Sequence, residues 1–433
     1  MAQVDAEARL QARATGEAQV HASIVTASDE DRSALRLLTT VSVIFVVVTA
    51  ILYVCTISWV EPIPRDATTL VVGRDFLNFW MYGRAAWTPD PGRFYDPRLY
   101  WDALDGLLGA GYPGQNWSYP PPIMLFAAPF GRLPYLPALA CWTLLGLGAF
   151  IPVTLRRVGT PRLLLPLLLS PAAVFCLLCG QSSLLTAAML LTIFANLDRR
   201  PLLAGILIGL LTLKPQLGLL FPVMLAASGR WRVFAAATVT FVLLAAAAAV
   251  LFGVQAWSDF VLEGIPVQNV VLTDPLGLTI RFYPTIFTNL RGIGVGYGPA
   301  MAVQACFSAA AVAAVCFAFR FRKDADPPLL AALFLACSVS AVPYLLSYDL
   351  LALTVAAVTL LAEGKLDAPG RILVKLVYWL PLIQMALGQF HVPGPALIAP
   401  AFAAYVLLRL ASAGAPQPAW TRPVAVNHAL PLS

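Results

Sequence analysis

Residues 201–228 read PLLAGILIGLLTLKPQLGLLFPVMLAAS, two apolar runs hinged on Lys214-Pro215-Gln216. Each run, 201–213 and 216–228, is too short for a bilayer core, which takes about 20 helical residues to cross. Proline cannot donate to the helix ladder, so the helix must break at the hinge. The pair reads as a broken hairpin that reaches one membrane face and returns. Its tip carries a lysine, and a charge at bilayer depth costs at least about 2.5–3.5 kcal/mol on insertion scales. Lys214 is therefore a candidate functional residue.

Outward from the hairpin, further apolar runs stand at 35–60, 135–155, 162–179, 181–197, 233–252, 299–319, 327–346, 348–362, 372–388 and 395–410. The chain has 433 residues, of which 59% are hydrophobic and 12% charged. A soluble domain carries roughly 25% charged residues. The expected fold is an all-α polytopic membrane protein, a bundle of about 11–13 transmembrane helices with long outer loops holding interfacial helices. Residues 1–34 and 412–433 read as disordered cytoplasmic tails; the first is too mixed in charge for a signal peptide.

The basic residues orient the bundle. With both termini inside, nineteen Lys and Arg fall on the cytoplasmic side and nine outside, which is the arrangement the positive-inside rule selects. The loops 61–134 and 253–298 then share the outer face. The net charge of +6 comes without a basic stripe interleaved with aromatics, so nucleic acid is not an expected partner. No G-x-G-x-x-G after a strand and no G-x-x-x-x-G-K-[ST] occurs, and the cytoplasmic connections have no room for a nucleotide-binding domain. Substrates must come from the membrane or the outer compartment. Cys176 and Cys179 form a CxxC, but inside an apolar run helix packing explains it better than redox or metal chemistry.

Residues 73–87 spaced as a helix put Asp75, Asn78 and Tyr82 on one face and Phe76, Phe79, Trp80 and Trp87 on another. Asp75 reads either as a helix N-cap or as a carboxylate held at the membrane surface. Residues 96–109, with Asp96 as cap, Pro97 in the first turn and Gly109 as stop, read as an interfacial helix. The stretch 123–130 is too short to span and reads as re-entrant. Ser347-Tyr348-Asp349 opens a span, where Asp349 is again either cap or functional acid. Lys214 either snorkels to the headgroups or binds a lipid phosphate. Arg281, set among aromatics, has the fork to hold phosphate.

These residues resemble the membrane glycosyltransferases of family 87, a polyprenol-phosphate-mannose-dependent mannosyltransferase-like group of the GT-C superfamily. The resemblance spans about residues 70 to 362. It is carried by Asp75-Phe76 with Tyr82 and Ala85-Ala86, by Phe94-Tyr95-Asp96, and by Tyr119-Pro120-Pro121-Pro122 with Ala128-Pro129 and Leu133-Pro134. Gly180-Gln181-Ser182-Ser183, the run from Gly205 to Lys214-Pro215-Gln216, and Tyr348-Asp349 complete it. It implies transfer of a hexose, mannose by the group's name, from a polyprenyl-phosphate donor to a lipid or glycan hydroxyl. Asp75 matches the catalytic acid of the GT-C pattern. Asn78, Tyr82, Lys214, Gln216, Arg281, Tyr348 and Asp349 are the expected substrate-binding residues. No cofactor and no divalent metal is expected, since a single phosphate leaving group can be met by side-chain cations. The expected setting is the bacterial inner membrane, with the active site on its outer face and membrane lipids around it. A transporter or lipid flippase is the competing class, because broken helices also mark transporter sites; no repeat between the two halves supports it. An inactive assembly protein would leave the aromatic outer loop unexplained, and a surface-glycan ligase or polymerase would share the carrier chemistry.

Overall fold

The computed structural model describes residues 29–59, 62–113, 115–117, 119–158, 161–273 and 281–412. The expected tails, apart from their innermost residues, lie outside this set. Among the described residues all regular elements are helices, with two isolated bridges, Ser58 to Arg65 and Arg65 to Val71. The chain is an all-α polytopic membrane protein.

Helix α1 (Asp29–Thr56) starts earlier than the apolar run at 35. Asp29, Glu30 and Asp31 occupy its first turn, where the helix dipole favours acids, and Arg371 pairs with Glu30 and Asp31. The first large loop then folds into α2 (Phe76–Ala85), α3 (Pro97–Leu108) and α4 (Ile123–Gly131). As expected, α3 is capped by Asp96, whose side chain accepts from Arg98 N–H, and it buries Tyr100, Leu104 and Leu108. Helices α2 and α4 cross at two glycines. A Cβ on Gly83 would stand 2.2 Å from the Ala127 carbonyl oxygen, and one on Gly131 2.0 Å from the Gly83 carbonyl carbon. The loop has an apolar core of its own, with Trp117 ringed by Tyr82, Phe94, Tyr95 and Tyr100.

The body continues through α5 (Tyr135–Val158), α6 (Pro161–Leu168), α7 (Pro171–Cys179) and α8 (Ser183–Asn196). The run 162–179, expected as one span, is bent by 57° between α6 and α7. Ser170 caps α7 by accepting from Ala173 N–H, and Pro171 takes the first helical position. Next come α9 (Pro201–Leu210), a 3-10 turn at Leu211–Leu213, α10 (Pro215–Gly218), α11 (Phe221–Ser228) and α12 (Trp231–Asp259). Gly205 abuts Val233 and Ala236, while Gly209 abuts Ala237 and Thr240. Helices α9 and α12 therefore run side by side in the same direction, and 215–228 must return between them. The hairpin read from the sequence is present.

Within α12 the helix expected to end at 252 does break, at a non-helical Gly253 (φ 83°), but a second helix follows at once and runs through a π turn at Phe260–Gly264 into α13 (Ile265–Thr273), so the second large loop is helical for much of its length. The chain ends with α14 (Ile286–Gly292), α15 (Tyr297–Phe321), α16 (Pro327–Ala341), α17 (Leu351–Ala362), α18 (Ala368–Gly388) and α19 (Ile398–Ser412). Among the described residues six helices have the length and hydropathy to cross a membrane alone, or seven if the bent pair is one span. Five shorter apolar helices, such as Pro327–Ala341 and Ser347–Ala362, lie among them. From Leu330 onward α16 is buried on every side, as is α17 through Leu361. Along these lengths protein encloses them, which is where a short helix is tolerated at membrane depth.

One end of the bundle gathers the basic clusters: Lys365 with Asp326 and Glu363, Arg371 with Glu30, Arg409 with Asp367, and Arg230 with Asp198. The hairpin tip and the first loop meet at the other end.

Candidate active site

At that second end three apolar elements are interrupted by polar residues, and the interruptions coincide. Helix α7 ends on Gly180, which adopts a left-handed conformation (φ 61°) and whose carbonyl oxygen accepts from Trp142 Nε1–H at 3.0 Å. A Cβ there would stand 2.6 Å from Phe76 Cβ, so glycine lets this turn lie against the start of α2. Gln181 follows. Lys214 comes from the hairpin tip. Tyr348 and Asp349 come from a 3-10 turn at Ser347–Leu350 that leads into α17.

Asp75 precedes α2, and its backbone N–H donates to Cys179 O at 3.1 Å. It sits in helical φ/ψ and makes no side-chain cap bond, which disposes of the N-cap reading. The side chain turns inward instead. Its Oδ2 accepts from Gln181 Nε2 and from the Tyr348 hydroxyl, both at 3.0 Å. Its Oδ1 has no hydrogen bond among the described residues. The residue is half-buried. Burial pushes the carboxyl above the usual aspartate range, against the pull of the Gln181 and Tyr348 hydrogen bonds and the charges of Lys214 and Arg74.

Lys214 does not snorkel. It is 5% exposed, and its Nζ donates to Asp349 Oδ1 at 2.9 Å and to Gln181 Oε1 at 3.1 Å, with the Tyr348 ring 5.2 Å away. Asp349, 7% exposed, also accepts from Ser183 Oγ at 2.6 Å. It is no cap either. Asp75 and Asp349 thus enter one network from opposite sides, joined through Gln181 and Lys214. The phosphate-binding role expected of Lys214 must be narrowed: Asp349 already balances its charge, leaving one N–H direction of three for a ligand.

Other expected site residues are placed differently. Tyr82 is fully buried, and its hydroxyl accepts from Tyr119 N–H at 2.8 Å, so it clamps the loop before α4 instead of facing a sugar. The Asn78 carbonyl oxygen accepts from the Tyr100 hydroxyl, and its amide donates to Asn116 O at 3.3 Å; it ties loop segments together. Both corrections share a cause, since the first large loop has its own core and takes these side chains as mortar. Gln216 and Arg281 are half-buried and make no hydrogen bond or ion pair among the described residues. The Arg281 backbone packs on Gly388.

The sequence reading quoted Gln181, Ser183 and Tyr119 only as carriers of the resemblance and gave no site role to them or to Tyr283 and Tyr344. Tyr119 is held between Tyr82 and Tyr95, whose hydroxyl donates to its carbonyl at 2.7 Å. Tyr283 donates to the Tyr344 hydroxyl at 3.4 Å, with their rings 4.8 Å apart. All three tyrosines feel the charge of Asp75. The polar triplet Gln181-Ser182-Ser183, dividing two apolar runs, was the signal for the first two. Among the described residues no three His, Cys, Asp or Glu side chains gather as metal ligands.

A helical membrane body with a half-buried carboxylate tied into a buried polar network suits transfer chemistry on membrane substrates, and comparison gives the class as glycosyltransferase. The chain belongs to glycosyltransferase family 87, whose model matches residues 117–347, more than half of the chain. The match takes in Tyr119, Gln181, Ser183 and Lys214, while Asp75 and Asp349 lie to either side of it. No curated protein and no solved structure matches. The protein is a membrane glycosyltransferase.

Proposed function

We propose that the chain moves a hexose, mannose by the family resemblance, from a polyprenyl-phosphate carrier to a hydroxyl of a lipid or glycan. The reaction takes place on the outer face of the bacterial inner membrane, both chain termini being cytoplasmic. The observation that carries this is Asp75: one carboxylate oxygen is tied down by two donors, and the other is left open beside a protein network able to hold it still. In the transfer, Oδ1 takes the proton of the acceptor hydroxyl as its oxygen bonds to the anomeric carbon. The bond from that carbon to the carrier phosphate oxygen breaks, and the electron pair leaves with polyprenyl phosphate. One displacement without a covalent intermediate inverts the anomeric centre. Arg281 and the remaining N–H of Lys214 are the groups offered to the departing phosphate. With these cations in place the reaction needs no divalent metal, and chelation with EDTA should leave it unchanged.

The test incubates purified protein with labelled polyprenyl-phosphate hexoses and a membrane-lipid extract. A new labelled glycolipid is expected with wild type and none with Asp75→Asn, which keeps size and hydrogen bonding but removes basicity. Turnover by Asp75→Asn at the wild-type rate would remove Asp75 as base.

A further inference from the structure

We propose that Gln181 is the positioning residue of the transfer: it fixes the rotamer of Asp75 that leaves Oδ1 open, and it takes its own orientation from Lys214. This rests on the reading of Asp75 as base. An amide has two faces, one donating and one accepting, and only its neighbours decide which way it points. Lys214 is all donor, so its 3.1 Å contact must be to the carbonyl oxygen Oε1. Ser182 N–H donates to the same atom at 3.3 Å. Nε2 is thereby turned toward Asp75 and spends a proton on Oδ2. Lys214 is fixed in turn by Asp349, and Asp349 by Ser183. The backbone is constrained as well: Gln181 N–H donates to Cys176 O at 2.9 Å, directly after the left-handed Gly180. Each link has one possible donor direction, so the pair buried deep in the bundle sets the edge that Asp75 presents at the surface.

Glutamate at 181 would still accept from Lys214 and Ser182, but when ionised it offers no proton to Asp75 and sets a like charge beside it, which disfavours the ionised form of Asp75. Methionine would fill the space with neither group. The other groups facing Asp75 keep their identity in either variant: the cations Arg74 (paired with Asp66) and Lys214, which loses its acceptor at 181 in the methionine variant and keeps one in the glutamate variant, the Tyr348 hydroxyl, the Cys179 thiol, and the more distant Tyr119, Tyr283 and Tyr344.

The experiment follows Asp75 itself in the full-length protein. Carbodiimide consumes protonated carboxyls, and peptide mass spectrometry across a pH series gives the midpoint at Asp75. Gln181→Glu and Gln181→Met should each raise that midpoint by about one pH unit or more, the size of a lost hydrogen bond to a charged group. In turnover of polyprenyl-phosphate mannose both should lower kcat about tenfold or more while leaving donor KM within about twofold. A midpoint equal to wild type in both variants overturns the proposal. Asp75→Asn separates it from the reading beneath: an active Asp75→Asn with a shifted midpoint in the Gln181 variants sinks the base and keeps the link, and an inactive one with an unmoved midpoint sinks the link alone.

Discussion

Asp75 and Asp349 show how little residue type says about role. Both open a helix or helical turn, and both had a respectable reading as caps, yet neither side chain makes a cap bond. What decides is the partner each finds across the bundle, and partners 166 or 273 residues away cannot be read from local spacing. Two outcomes follow. Only ionised Asp75 accepts a proton, so transfer should fall as pH drops through its titration. Burial has moved that point above the value of about 3.9 for free aspartate, and the acid limb of the kcat profile should lie correspondingly higher. Tyr348→Phe removes a hydrogen bond that favours the ionised form and should move the limb higher still; a limb displaced downward in that variant would contradict the geometry. Tyr82 gives the opposite lesson. Its spacing with Asp75 on one helical face was legible, but the aromatic core of the loop claimed its hydroxyl for Tyr119.

At the scale of elements, the broken hairpin was legible because Lys214-Pro215 breaks both hydropathy and hydrogen bonding at one point. The second helix that follows Gly253 was not, since a glycine at φ 83° ends the first helix with no local signal that another begins directly after it. The short helices α16 and α17 were counted as spans from hydropathy alone, which cannot tell enclosure by protein from enclosure by lipid. The Lys214–Asp349 pair joins hairpin to α17, and removing one partner of a buried pair leaves a charge uncompensated. Lys214→Met should cost about 3–5 kcal/mol, read as a lower unfolding temperature of the purified protein. Adding Asp349→Leu to that variant should recover most of the loss; a double variant as unstable as the single one would assign the damage to packing. Where α2 crosses α4, Gly83→Ala places a methyl 2.2 Å from a carbonyl oxygen. Overpacking of this kind costs about 1–3 kcal/mol or more, expected as loss of the monodisperse peak in size-exclusion chromatography.

Across the whole molecule, the basic clusters collect at one end and the polar network at the other. On the proposed orientation the positive-inside rule assigns the first end to the cytoplasm. Reporters fused at Met1 and at Ser433 should both register the cytoplasm, and one inserted at Gly111, on an exposed turn of the first loop, should register the opposite side. The bundle's composition made its class legible at once, whereas the cluster that unites its far segments became visible only when they were packed. That long reach has a bearing on how the protein is made. Lys214 leaves the ribosome 135 residues ahead of Asp349, an interval of several seconds or more at about 5–20 residues per second. Throughout it the hairpin tip holds an ammonium whose counter-ion in the folded protein has not yet been made. The nascent hairpin should therefore stay close to the insertion machinery until the stretch bearing Asp349 arrives, and a chain truncated before that residue should be handed to membrane proteases.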